Sequence, residues 1–389
     1  MKLAKRMSRL GTETAFEVLA KARALEAKGK HIVHLEIGEP DFDTPAHVID
    51  EGVKALTSGF THYSPSAGIL ELRQSIARCA GQKRGLFFDP DQVVVTPGGK
   101  PIMFFILLAL AEAGDEVIYP NPGFPIYESM INFVGATPVP IPLREERQFR
   151  FDVDELASKI TPRTRVLILN SPQNPTGGVL TRSDVASIAE LAVRHNLTVL
   201  SDEIYSEILY EGEHVSIATF PGMAERTIIL DGFSKTYAMT GWRLGYGIMP
   251  IELAPQITRL VTNSVSCTAT FIQKAGIAAL EGPMDKVTQM VEEFRVRRQV
   301  IVDGLNAIPR LRCANPAGAF YVFPYVGDVG LDCRAFADYL LNEAGVATLS
   351  GTSFGKYGEG YLRLSYANSV ANIQTALDRI DSAVRKLSK

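Results

Sequence analysis

Between residues 92 and 250, short apolar, β-branched runs alternate with helix-compatible stretches. The runs are "QVVVT" (92–96), "DEVIYP" (115–120), "TRVLILN" (164–170), "LTVLSD" (197–202), "TIILDG" (227–232) and "LGYGIM" (244–249). Most lack the inside/outside alternation of a half-exposed strand. Continuous apolar strands belong to a mostly parallel sheet whose two faces are both covered by helices. Helices fit at 99–113, at 181–195 and, as one stretch, at 252–281. Sheets of this kind bind ligands beyond the carboxyl ends of their strands, so the residues just past each run are where chemistry is expected.

A second unit follows, with a long charged helix (285–306), "GAFYVFP" (318–324), a helix near 334–345, the strand "GYLRLSYA" (360–367) and a closing helix (370–387). This reads as a smaller α+β lobe, with the N-terminal segment packing onto it. That segment patterns as an amphipathic helix, with Phe16, Val18, Leu19 and Leu25 among charges. It has no apolar export signal, and Glu13, Glu17 and Glu26 argue against a transit peptide.

Composition narrows the function. With 389 residues, 46% hydrophobic, 21% charged and net charge −3, the chain is long enough for two lobes and has no basic stripe for nucleic acid. The apolar run "IMFFILLALA" (102–111) has half the length needed to span a bilayer and reads as a buried helix. Cysteines 79, 267, 313 and 333 form no CxxC pair or zinc spacing and read as reduced core thiols in the cytoplasm. No metal site is expected.

The strand ends carry a constellation. "TPGGKP" (96–101) opens a helix with Gly98 and Gly99, where backbone N–H groups can receive an anion, though a plain tight turn has the same signature. In "NSPQNPTGG" (170–178), Asn174 either caps a rigid turn or offers its amide to a ligand oxygen. "SDEIY" (201–205) puts Asp202 and Glu203 at the end of a buried strand, where a carboxylate needs a partner. A protonated ring nitrogen would suit Asp202, and a helix cap would suit either acid. "SKTYAMTGWRLGYG" (234–247) places Lys235 level with Asp202. Most lysines are solvated surface charges. A desolvated lysine near another cation is a nucleophile able to form a Schiff base, and Arg243 is the expected neighbour. Arg243 is also suited to clamp a phosphate, with Ser234 beside it. Arg363, among apolar strand residues, needs an anion: a substrate carboxylate or an internal acid. One ligand satisfies all these groups, having a phosphate, a pyridine nitrogen, a phenolic oxygen and an aldehyde: pyridoxal 5′-phosphate.

With "GEPDFDTP" (38–45) and "YSPSAGILELR" (63–73) added, these motifs resemble a class I/II aminotransferase of the aspartate aminotransferase fold. The chain is most similar to the bacterial branch of aspartate and aspartate/prephenate aminotransferases. The resemblance implies a large α/β domain with a mostly parallel seven-stranded sheet covered by helices (fold type I), plus a smaller α+β domain. Residues 1–45 would form the N-terminal arm and part of the small domain, 46–285 the cofactor-binding domain and 286–389 the small domain.

By the same resemblance, Lys235 bonds covalently to the cofactor aldehyde and then shuttles the substrate's α-proton, while Asp202 keeps the pyridine nitrogen protonated. Tyr205 and Asn174 bond the phenolic oxygen. Gly98, Gly99 and Lys100, Ser234 and Arg243 hold the phosphate, Phe124 stacks on the ring, and Tyr63 reaches the phosphate of a homodimer partner. Arg363, Asn174 and Gly38 take the substrate α-carboxylate. Lys100 stands where this branch places a cation for a distal carboxylate, which implies aspartate as donor and 2-oxoglutarate as acceptor in a ping-pong cycle. Glu13 and Ala15 stand about where aspartate/prephenate relatives offer hydroxyls, and "NSVSCTAT" (263–270) lacks the arginine of the animal-type branch. Aromatic or alanine-type donors are therefore alternatives, with a carbon–sulfur lyase behind them. A ligand-sensing regulator would need a basic helix-turn-helix ahead of Gly38, and the segment there does not read as one.

Overall fold

A computed structural model describes residues 1–387. Its centre is a seven-stranded sheet: β1 (Val93–Thr96), β2 (Glu116–Asn121), β3 (Thr137–Pro142), β4 (Thr164–Asn170), β5 (Thr198–Asp202), β6 (Thr227–Gly232) and β7 (Gly245–Ile248). The spatial order is β1-β7-β6-β5-β4-β2-β3, and only β7 runs against its neighbours.

The continuous apolar runs have a direct explanation in this sheet. Successive side chains enter different cores: Val166 and Ile168 pack with Ile102, Ile106 and Tyr127, while Leu167 and Leu169 pack with Leu156, Val185 and Ile188. Both faces are dry, so neither can carry polar residues.

The strand β3 has no counterpart among the runs in the sequence because its "TPVPIP" alternates with proline. It is the sheet's edge. Thr137 and Leu143 donate their N–H groups to Asp115 and Asn121 beside β2, while the three prolines fall at the intervening positions, where no donor is needed. The stretch 252–281 is two helices, Ala254–Thr262 and Thr270–Glu281. Thr262, Asn263 and Ser264 turn their side chains back onto carbonyls four residues earlier, and Ser266 adopts φ +63°, which ends the first helix.

Beyond the sheet, the helix Asp285–Ala307 packs on Val370–Leu387 over a core that includes Phe294, Phe320, Phe336 and Tyr366. The short strands Leu349–Ser350, Leu362–Ser365 and Tyr321–Val322 pair antiparallel beside it. From the N-terminal segment, the helix Thr14–Glu26 buries Ala22 with Ile32, Leu341 and Ala347, and Val33–His34 pairs parallel with Val346–Ala347. Cys313 and Cys333 are buried, whereas Cys79 and Cys267 are only half-buried, so just two of the four are core thiols. Among the described residues no helix is long and apolar enough to cross a membrane.

Candidate active site

The register of the sheet assembles the site. Asn170 pairs with Asp202 across β4 and β5, so the segments leaving both strands emerge together. Because β7 is antiparallel, its first residue, Gly245, lies opposite Thr96 and Gly232, and Arg243 just before it reaches the same sheet end. A cavity of about 500 Å³ opens there, lined by Gly99, Lys100, Phe124, Asn174, Asp202, Tyr205, Ser234, Lys235, Arg243 and Arg363. Gly38 closes one side of it.

Lys235 donates its Nζ proton to the Gly38 carbonyl at 2.6 Å and lies 5.8 Å from the Phe320 ring centre. Burial is the main force on this amine and brings its pKa down to about 8. Arg363 and Lys100 push further down, and Glu39 and Glu13 push up. The cation neighbours are thus Arg363 and Lys100, in the place expected for Arg243.

Asp202 is buried, which raises its carboxyl to about 6 despite hydrogen bonds from the Tyr127 hydroxyl at 2.6 Å and the Ile204 N–H at 3.3 Å. Glu203, the next residue, meets a different fate. Burial alone would raise it, but the Arg84 and His214 charges, with hydrogen bonds from His214 and Ser216, hold it well below the usual carboxylate range. It is an internal ion-pair residue, joined to Arg84 at 2.6 Å.

On the substrate side, the Tyr205 and Tyr321 hydroxyls meet at 2.8 Å. Arg363 is 4% exposed and forms no ion pair among the described residues. It donates to the Glu36 carbonyl and, at 3.4 Å, to the Asn174 side-chain oxygen, while its buried Nε has no partner among the described residues. A guanidinium desolvated with an unused donor is a site for an anion.

At the opposite end, Gly98 adopts φ +83° and Gly99 precedes the helix Lys100–Leu110. A Cβ on Gly98 would run into the Arg243 guanidinium. Arg243 holds φ +55°, a conformation costing about 1 kcal/mol outside glycine, and donates to the Thr240 carbonyl at 2.9 Å. Among the described residues it has no carboxylate partner. Glycine backbone, helix start, Ser234 and an uncompensated guanidinium suit a phosphate dianion.

Lys100 is engaged. Its ammonium pairs with Glu13 and stands 5.4 Å from the Phe124 ring centre. Phe124 meets Tyr127 edge-on at 5.8 Å. Tyr63 is 91% exposed and outside the cavity of its own chain. Among the cavity residues with no expectation in the sequence reading are Tyr127, Tyr321 and Glu39. The phenols sit in "NPGFPIY" and "GAFYVFP", where their apolar context reads as core.

A lysine beyond the sixth strand, an acid at the end of the fifth and anion sites at both ends of one cavity define a pyridoxal-phosphate enzyme of fold type I. The residues present fit that cofactor, with donors for its phosphate and an acid for its ring nitrogen. A family model described as aminotransferase class I and II matches residues 30–380, and the chain belongs to that family. It is an aminotransferase, acts on amino and 2-oxo acids, and uses pyridoxal 5′-phosphate. It is 42% identical to aromatic-amino-acid aminotransferase 2 of Thermococcus litoralis, over 91% of this chain and 92% of that one. It is 40% identical to aspartate aminotransferase of Musicola paradisiaca, over 98% and 96%. The structure of Thermus thermophilus aspartate aminotransferase with maleate superimposes with a TM-score of 0.95 at 38% identity, covering 98% of this chain and 100% of that one.

Proposed function

We propose that the chain moves the amino group of an L-amino acid, aspartate foremost, to 2-oxoglutarate in a ping-pong cycle, with the site residues in the following roles. The observation that carries this reading is a buried Arg363, with no acidic partner among the described residues, facing the same cavity as Lys235.

Bound pyridoxal phosphate supplies an aldehyde for the amine and a ring that withdraws electrons from the α-carbon. Arg363 takes the α-carboxylate, its free Nε and its contact with Asn174 fixing the orientation. Lys235 then stands ready to remove and return the α-proton, and its lowered pKa makes the neutral amine accessible near physiological pH. Asp202 holds a proton at the ring nitrogen. A protonated ring nitrogen there would favour the carboxylate form of the acid. Tyr205 and the Asn174 amide would hydrogen-bond the phenolic oxygen. Gly98, Gly99, the Lys100 backbone, Ser234 and Arg243 would hold the phosphate, with Phe124 against the ring.

Two further assignments belong to this reading. The working form is a cytoplasmic homodimer in which Tyr63 reaches the partner's phosphate; the exposed apolar side chains Val53, Leu56, Phe60 and Leu70 near Tyr63 support it. The division into an arm (1–45), a cofactor domain (46–285) and a small domain (286–389) is supported by the helix Asp285–Ala307, which enters the small-lobe core. Residues 388–389 lie outside the described ones.

Aspartate is favoured because the cavity has one more cation, Lys100, beyond Lys235, Arg243 and Arg363. A specific observation favours a second reading, an aromatic or alanine-type donor: Lys100 is paired with Glu13, and Ala15, Phe16 and Phe124 supply apolar wall. Steady-state kinetics over a donor panel with 2-oxoglutarate decide between them. Lys100→Ala should raise KM for aspartate about tenfold, the scale of a lost charge-assisted hydrogen bond, and leave alanine and phenylalanine within twofold. Equal losses on all three donors remove Lys100 from the specificity argument.

A further inference from the structure

We infer that Glu13 sets the breadth of this enzyme's specificity by occupying Lys100 as an internal carboxylate, which a dicarboxylic substrate displaces and a neutral or aromatic one leaves in place. The inference rests on the reading of Lys100 given above.

The placement of Glu13 is unusual for its position. It occupies the N-cap of the helix Thr14–Glu26, yet its side chain accepts no hydrogen bond from that helix. It turns instead into the cavity and meets the Lys100 ammonium. Its side chain is 17% exposed and that of Lys100 is 47%, so the pair sits at the mouth, open to exchange with solvent and substrate. The charge of Glu13 also bears on Lys235 and Arg363, which puts it inside the electrostatic field of the site.

The exchange is chemically balanced. One carboxylate leaves the ammonium and another arrives, so neither state strands a charge. When the substrate side chain carries no charge, Glu13 keeps Lys100 neutralised and spares the neutral ligand the cost of packing beside an unpaired ammonium. When the side chain ends in a carboxylate, Glu13 must swing out toward solvent. Two carboxylates close to one ammonium repel each other, so this release lowers the apparent affinity for dicarboxylates. A ping-pong enzyme passes both substrates through one cavity, and such a residue lets one half-reaction take a dicarboxylic acid and the other a neutral amino acid.

Glu13→Gln removes the competing charge and keeps the shape. With a fully loaded holoenzyme, it should lower KM for aspartate and for 2-oxoglutarate about three- to fivefold, the range set by an exposed ion pair, and raise KM for phenylalanine, which then packs beside an unpaired ammonium. A purely structural role for Glu13 would loosen the N-terminal helix and shift all substrates alike, so a uniform change overturns the inference. An unchanged aspartate-to-phenylalanine ratio of kcat/KM overturns it too. Lys100→Ala, measured alongside, separates the two layers. If it weakens aspartate selectively while Glu13→Gln leaves the ratio unmoved, only the role of Glu13 fails. If it affects all donors equally, the Lys100 reading fails as well.

Discussion

Removing an ammonium from water costs more than the carboxylates around Lys235 return, and its pKa accordingly falls from 10.5 to about 8. Below that value the amine is protonated and cannot attack an aldehyde; above it the neutral form prevails. Uptake of pyridoxal phosphate by protein stripped of cofactor, followed by absorbance, should therefore accelerate as pH rises through about 8 and level off beyond it. A rate that climbs without a break to pH 10 would mean an ordinary solvated lysine. Adjacent acids show the same physics with opposite results. Asp202 and Glu203 are both buried at one strand end, but Glu203 is enclosed by Arg84, His214, Ser201 and Ser216, and Asp202 has only hydroxyl and amide donors. The sequence shows two acids in a row. It does not show that Arg84, 119 positions away from Glu203, belongs to one of them.

At the scale of elements, most of the site was legible because parallel strands buried on both faces advertise themselves as unbroken apolar runs. Their ends are then countable positions, and Asn174, Asp202, Lys235 and Arg243 all follow from reading what comes next. The limits have equally physical causes. An edge strand made of alternating prolines has no run to see. Tyr127 and Tyr321 are aromatic residues in apolar contexts, and only the fold shows that their hydroxyls face Asp202 and Tyr205. The turn between β1 and its following helix offers a direct test. Gly98 needs both a positive φ and the absence of a Cβ beside Arg243. Gly98→Ala should weaken cofactor binding at least tenfold by equilibrium dialysis, since a strained left-handed alanine alone costs about 1–2 kcal/mol. Retained affinity would show that the phosphate lies elsewhere.

Across the whole molecule, the cavity draws on residues from position 13 to position 363, and no local pattern announces that convergence. The N-terminal segment pairs with the small-lobe strand at Val346–Ala347, while Glu13 and Gly38 meet Lys100 and Lys235 beyond the ends of the large sheet's strands. The proposed binding, proton-transfer and substrate-selecting roles thus fall on segments far apart in the sequence, and one lysine is the point where they would act together. Reduction of the holoenzyme with borohydride, followed by peptide mapping, examines that point most directly. The expected result is a single cofactor-derived mass addition on the peptide carrying Lys235, lost in Lys235→Ala. A modification on another lysine, or none in protein that has taken up stoichiometric cofactor, would contradict it.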